Sequence, residues 1–257
     1  MKTKTITFKT KNDIIKIDCE LISCAVEICG SDDCLHIEKS KHSHIRVSEN
    51  GGIVKIRQTR KPFFKKAELK IYIPAFCVPD LAVVLNGGTV SITRGIYGDL
   101  CIKSHEADIN LSHCSFVNAD LNCENIRLHC KDVSVRNALD CTAVNGEAIV
   151  DDSFCMQPDL RFKSGAMGIT RLKCRNGYFS ADCGSISLNL KGYKEDYSIS
   201  SFTKYGTCNC PDTNGGKYGV KVYTGTGNII IDFTDKKETA LYGNDYVAED
   251  TCLAREA

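Results

Sequence analysis

Four stretches of this 257-residue chain carry side chains of the types that chemistry needs. Asp151-Asp152 follows the apolar pair Ile149-Val150, and paired carboxylates are the material of general acid–base work and of glycoside cleavage. Cys208-Asn209-Cys210 and His42-Ser43-His44 each place two metal-type ligands on one face of a strand. The run from Arg57 to Lys66 gathers Arg60, Lys61 and Lys65 around Phe63 and Phe64, a combination suited to an anionic surface.

Each candidate has a plainer explanation. Consecutive residues of a strand point to opposite faces, so Asp151 and Asp152 share a site only if a turn intervenes. No His-Gly or Arg-x-Lys companion stands at a matching phase nearby, and solvated turn acids are expected. Zinc asks for about four ligands, commonly as Cys-x-x-Cys or His-x3-5-His, and neither ligand pair has such a partner. In His113-Cys114 and His129-Cys130 the two residues alternate faces and do not chelate together. A nucleophilic cysteine needs a depressed pKa and a nearby base, and among 16 cysteines and six histidines some adjacency arises by chance. The basic run reads as a solvated hairpin loop with its phenylalanines tucked against neighbouring strands. P-loop, dinucleotide, zinc-protease and nucleophile-elbow motifs are all missing. No catalytic, cofactor-binding or metal residue is therefore assigned, no cofactor is expected, and the chain is not expected to be an enzyme.

The elements that carry these residues repeat. From Leu81 to Phe233 strand centres recur roughly every 20 residues in two interleaved series. One runs Val90, Ile109, Ile126, Ile149, Ile169, Ile186, Cys208, Ile229; the other Leu100, Leu121, Leu139, Leu160, Phe179, Ile199, Val220. Such a double rhythm predicts an all-β parallel β-helix or solenoid, of about seven coils with about two strands in each ~20-residue coil. Asn86-Gly87-Gly88, Asn145-Gly146, Ser164-Gly165, Gly184-Ser185 and Gly225-Thr226-Gly227 mark corners, where glycine supplies positive φ. The cysteines keep the same phase. Leu121/Cys123, Leu128/Cys130, Leu139/Cys141 and Leu172/Cys174 are each two apart, so these thiols are expected inside, as small hydrophobes and not as disulfides.

Residues 1–80 read differently, as an N-terminal antiparallel strand and hairpin module that caps a solenoid over 81–234. Its strands are predicted at Thr5–Thr10, Ile14–Ile28, Cys34–Lys39, His44–Ser48, Ile53–Thr59 and Glu68–Ile73, with Asn50-Gly51-Gly52 as a hairpin turn. Residues 235–257 form a polar C-terminal segment or tail.

These residues resemble a bacterial β-strand-repeat family of unknown function whose members are often labelled "putative adhesin". The features that carry it are Ile15-x-Ile17-Asp18, Leu69-x-Ile71-x-Ile73-Pro74, Val83-x-Leu85-Asn86-Gly87-Gly88, Val220-Lys221-Val222 and Gly225-Thr226-Gly227-Asn228-Ile229. The resemblance implies a single-stranded parallel β-helix and no established activity; some relatives stand near envelope-stress systems.

Composition bounds the partners. With 33 basic and 32 acidic residues the net charge is +1, so there is no global field for nucleic acid or an anionic membrane. Trp is absent, which removes one common anchor of sugar-binding clefts. The N-terminal sequence alternates polar and apolar residues without a continuous apolar run, so neither a signal peptide nor a membrane span is expected. A cytoplasmic location follows, with envelope association left open. The reading is a non-enzymatic interaction or scaffold protein, with a protein partner or self-association through a sheet edge and no small-molecule substrate. Two alternatives stand beside it: a glycan-binding or glycan-cleaving β-helix, and a regulatory partner in envelope-stress signalling. A concave groove lined with acids and aromatics would favour the glycan; a flat, mixed-charge face would not.

Overall fold

The computed structural model describes residues 3–7, 14–31, 34–41, 43–61 and 66–235. Six strands come first: β1 (Thr3–Thr7), β2 (Lys16–Ser31), β3 (His36–Ser40), β4 (Ile45–Asn50), β5 (Ile53–Gln58) and β6 (Ala67–Pro74). Four long ones form the middle: β7 (Asp80–Ile96), β8 (Leu100–Phe116), β9 (Ala119–Asp151) and β10 (Phe154–Cys174). Five shorter strands end it: β11 (Asn176–Cys183), β12 (Ile186–Leu190), β13 (Tyr197–Tyr205), β14 (Tyr218–Thr226) and β15 (Ile229–Phe233). Among the described residues the protein is all-β, with one short 3₁₀ turn at Lys194–Asp196.

The long strands lie parallel, each repeat of sequence forming one rung. Leu81 stands opposite Leu100 and Leu100 opposite Ala119, an offset of 19 residues. Along a rung Leu81, Val83 and Leu85 are buried before a bend, and Val90 and Ile92 after it. The rung therefore feeds two strips that share one interior, and every inward residue stacks on its equivalents.

The bends are of two kinds. At one corner Gly165, Gly184 and Gly227 have φ of 143°, 149° and 143°. A Cβ on Gly165 would lie 1.7 Å from the Gly146 carbonyl oxygen, and one on Gly184 would lie 1.6 Å from that of Gly165. No side chain fits there. At the other corner Arg94, His113, Asp132, Asp152 and Arg171 hold φ of 48°, 51°, 52°, 46° and 51°. The sequence marks glycine corners; at this second corner exposed polar and charged residues adopt the left-handed turn because their side chains leave into solvent.

Space and sequence part company at both ends. β2 is not part of an antiparallel module: it pairs in parallel with β7 on one side and with β5 and β6 on the other. The chain lays down β2, builds the outer rung β5–β6, and then crosses back to β7. Among the described residues only β1–β3, β3–β6 and β4–β5 are antiparallel, the last through the predicted turn at Asn50-Gly51-Gly52. At the far end β14 and β15 pair with β11 and β12, and β13 pairs with β14 from outside. The spatial order is thus Ile186, Ile229, Cys208, and not the sequence order.

Residues 207–213 cover part of the outer edge so formed. Ile199 and Thr213 exchange backbone hydrogen bonds at 3.0 Å each way, and the Ser201 N–H donates to Asp212 Oδ1 at 2.8 Å. Asn209 imitates a strand with its side chain: Oδ1 accepts from the Ile231 N–H at 2.8 Å, and Nδ2 donates to the Ile231 carbonyl at 3.3 Å. An edge strand blunted in this way offers fewer free backbone groups to another chain. The predicted tail beyond residue 235 lies outside the described residues.

Candidate interaction surface

The interior holds almost nothing that could react. The leucines and cysteines of the four Leu-x-Cys pairs are all buried. Burial pushes the thiols of Cys24, Cys114, Cys155 and Cys174 up to about 12 and that of Cys123 to about 11. Cys19, Cys130 and Cys141 are raised further for the same reason. These groups stay protonated at neutral pH and make poor nucleophiles. The 15 described cysteines are all free thiols; Cys34, Cys183 and Cys208 are exposed.

The sequence candidates fall apart as sites. Asp151 and Asp152 do meet, because Asp152 occupies the left-handed corner, and what they meet is a cation. Arg171 lies 3.2 Å from Asp151 and 3.5 Å from Asp152, and Lys191 reaches Asp152 at 3.0 Å. The Lys191 hydrogen bond, aided by both cations' charge, holds the Asp152 carboxyl below its usual range. One corner up, His113 bonds Asp132 at 2.9 Å while Cys114 turns inward. His129 is exposed and Cys130 buried, opposite faces as their adjacency requires.

Cys208 was placed at a core position and is exposed instead, its Sγ 3.3 Å from Ser201 Oγ, because it belongs to the edge-covering segment. Cys210 is buried. His42 and residues 62–65, including Phe63 and Phe64, lie outside the described residues. Arg57 leaves the basic run altogether: it binds Asp18 at 2.8 Å and Glu20 at 2.9 Å on β2. Gln58 beside it is buried and accepts hydrogen bonds from the Ile22 and Ser23 N–H groups. Among the described residues no group of three or more His, Cys, Asp or Glu is placed to hold a metal ion.

What the fold does assemble lies outside, on the strip formed by β9, β10, β11, β14 and β13. Here a groove of about 680 Å³ runs along the stacking direction. Register fixes one wall as Asp140, Asp159, Tyr178, Lys221 and Ser200, one residue per strand. The other wall holds Gln157, Asn176, Gly219 and Ser198, and the backbone of Pro158, Gly177, Val220 and Ile199 forms the floor. Thr213 and Asn214, from the connection that leads out of the edge cover, line the outer end.

Within this groove Arg161 chelates Asp159, with Nε to Oδ1 at 2.7 Å and Nη2 to Oδ2 at 2.5 Å. Its guanidinium also lies 4.9 Å from the centre of the Tyr178 ring. Partial burial, then the carboxylates of Asp159 and Asp120, push the Asp140 carboxyl up. Farther along the strip Phe202 and Tyr223 stack at 5.9 Å. None of these residues was singled out from the sequence. The recurrence of Asp120, Asp140 and Asp159 at the repeat period was a usable signal. Ser198 and Ser200 gave no signal of a site, because β13 sits out of sequence order, and Thr213 gave none because it lies in a connection.

The architecture defines an all-β repeat protein with parallel rungs. The chain belongs to the Toastrack DUF4097 family, whose model matches residues 7–248. That bears out the likeness read from the strand repeats: a bacterial β-rich family of unknown function. No curated protein matches the chain. Among solved structures, one from Parabacteroides merdae described as a "putative adhesin" is 14% identical, covers 91% of this chain and 94% of its own, and has a TM-score of 0.49. One from Clostridium sporogenes described as a "putative cell adhesion protein" is 10% identical over 90% and 99%, with a TM-score of 0.33. A third, from Parabacteroides distasonis and described as a "putative lipid binding protein", is 15% identical over 89% and 96%, with a TM-score of 0.45. No helix among the described residues is long and apolar enough to cross a membrane.

Proposed function

We propose that the stack is a parallel β-solenoid with two strands per coil and that it serves as a non-enzymatic recognition scaffold. Its register supports the first part, since Leu81, Leu100 and Ala119 succeed one another at the period of the sequence. The observation that carries the second is the division of labour between faces. Inward positions are filled mainly by apolar side chains and protonated thiols, with a few polar groups such as Gln58 and Thr224. Several outward acids are tied to basic neighbours, as Asp159 is to Arg161, Asp152 to Lys191 and Glu27 to Lys70. Such a surface presents fixed, regularly spaced groups for contact and supplies no activated nucleophile.

The test is capture by the immobilised full chain from an extract of its source cells. A defined protein or polysaccharide should be retained, and replacing the outward pair Asp159 and Arg161 with alanine should weaken retention. Turnover of ester, peptide or glycan substrates that disappears in Asp140→Asn would overturn the non-enzymatic reading.

A further inference from the structure

The groove has a repeat of its own. Five adjacent strands cross it, so its walls offer one side chain per strand at intervals of about 4.8 Å, roughly 19 Å from Asp140 to Ser200. That interval is close to the advance per ring of an extended chain of linked hexopyranoses. The groups at those intervals are the ones that hydrogen-bond hydroxyls: the Gln157 and Asn176 amides, the Ser198 hydroxyl and the Asp140 carboxyl. Gly219, standing between Asn176 and Ser198 in the register, carries no side chain and leaves the floor open there.

Tyr178 adds an aromatic ring midway along one wall. Arg161 lies over that ring and is itself clamped by Asp159, so the ring's position is set before any ligand arrives. Charge narrows the class further. Asp140 and Asp159 stand side by side at one end, Arg161 is paired with Asp159, and Lys221 stands on the same wall, so the charged groups that line the groove balance and offer a polyanion such as nucleic acid or a polyuronate no basic track.

We propose that this groove binds a linear, uncharged oligosaccharide laid along the stacking direction, one sugar ring to a strand. The assignment rests on the recognition reading above and names the ligand class of its surface.

The experiment is calorimetric titration of the full chain with linear β-1,4-linked hexasaccharides of glucose, N-acetylglucosamine and mannose, and with the matching disaccharides. At least one hexasaccharide should bind, more tightly than its disaccharide. Tyr178→Ala and Asn176→Ala should each weaken it tenfold or more, and Asn110→Ala, on the other strip, should leave it unchanged. If Tyr178→Ala does not fold by circular dichroism, Asn176→Ala decides. No binding by any hexasaccharide at millimolar concentration, or undiminished binding by the folded groove variants, overturns the proposal. The recognition reading survives that result if capture through Asp159 and Arg161 persists, and it falls alone if the groove binds a hexasaccharide and shortens it.

Discussion

At one corner of the stack Gly165, Gly184 and Gly227 lie so close to the rung before that a Cβ on each would overlap the carbonyl of Gly146, Gly165 and Gly184 respectively. At the other, Arg94, His113, Asp132, Asp152 and Arg171 hold the left-handed turn with side chains in solvent. Both corners turn the chain once per rung, but they constrain the sequence for different reasons. The first is limited, where glycines stack on one another, by the distance between successive backbones, which leaves no room for a side chain; in the rungs where Ala107 and Ile126 take the register position of Gly88 the corner does carry one. The second is limited by φ alone, which a non-glycine residue adopts at a cost of about 1–2 kcal/mol. Contact surfaces can vary at the second corner and, along the run of stacked glycines, not at the first.

The largest expected effect involves neither corner and isolates the interior between them. Thiols with folded pKa values near 12 and unfolded values near 9 keep their protons longer in the folded state. Their contribution is complete below pH 9 and is lost as pH rises toward 12, at about 1.4 kcal/mol per thiol per pH unit. Cys24, Cys114, Cys155 and Cys174 together should therefore bring about unfolding within roughly two pH units above 9, given a net stability of about 5–15 kcal/mol. Thermal melts from pH 8 to 11 check this; a flat melting temperature across that range would show that the thiols are not buried as described.

Next comes the glycine corner. Gly184→Ala should cost roughly 2–4 kcal/mol in urea unfolding, from the forced φ and the overlap with the Gly165 carbonyl. The charged corner should respond in the opposite sense: Arg94→Gly should be neutral or stabilise by up to about 1 kcal/mol. A gain at Arg94 and a loss at Gly184 would sharpen the contrast; equal losses would break it. The smallest effect belongs to Asp152→Asn, which removes exposed ion pairs with Arg171 and Lys191. Its shift in melting temperature should be marginal and vanish at high salt.

Much of the middle of the molecule was legible beforehand. The spacing of Leu100, Leu121 and Leu139 marks the inward face, and Leu121-x-Cys123 and its relatives declare the thiols buried, because alternation in a strand is strictly local. The ends were not legible. β2 carries the same alternation whether its neighbours run parallel or antiparallel, so Ile14–Ile28 could be read as a strand but not assigned its partners. Likewise β13 and β14, which carry Ile199 and Val220, follow each other in sequence, while the chain threads β14 between β11 and β13. The Asp151-Asp152 pair shows the same boundary at the scale of one residue. Facing rules for a strand separate the two carboxylates, and a left-handed φ at Asp152 brings both to Arg171.

The amino-acid sequence by itself determined the all-β class, the 19- to 20-residue rung, the inward thiols and the hairpin at Gly51-Gly52. Each of these follows from contacts within one repeat or from side chains alternating along one strand. Tertiary structure alone decided the order of the end rungs, the covering of the β13 edge and the groove along Asp140, Tyr178 and Lys221. Those depend on which strand edge a distant segment reaches first. Backbone hydrogen bonds satisfy any suitable neighbour equally, so no local pattern records that choice.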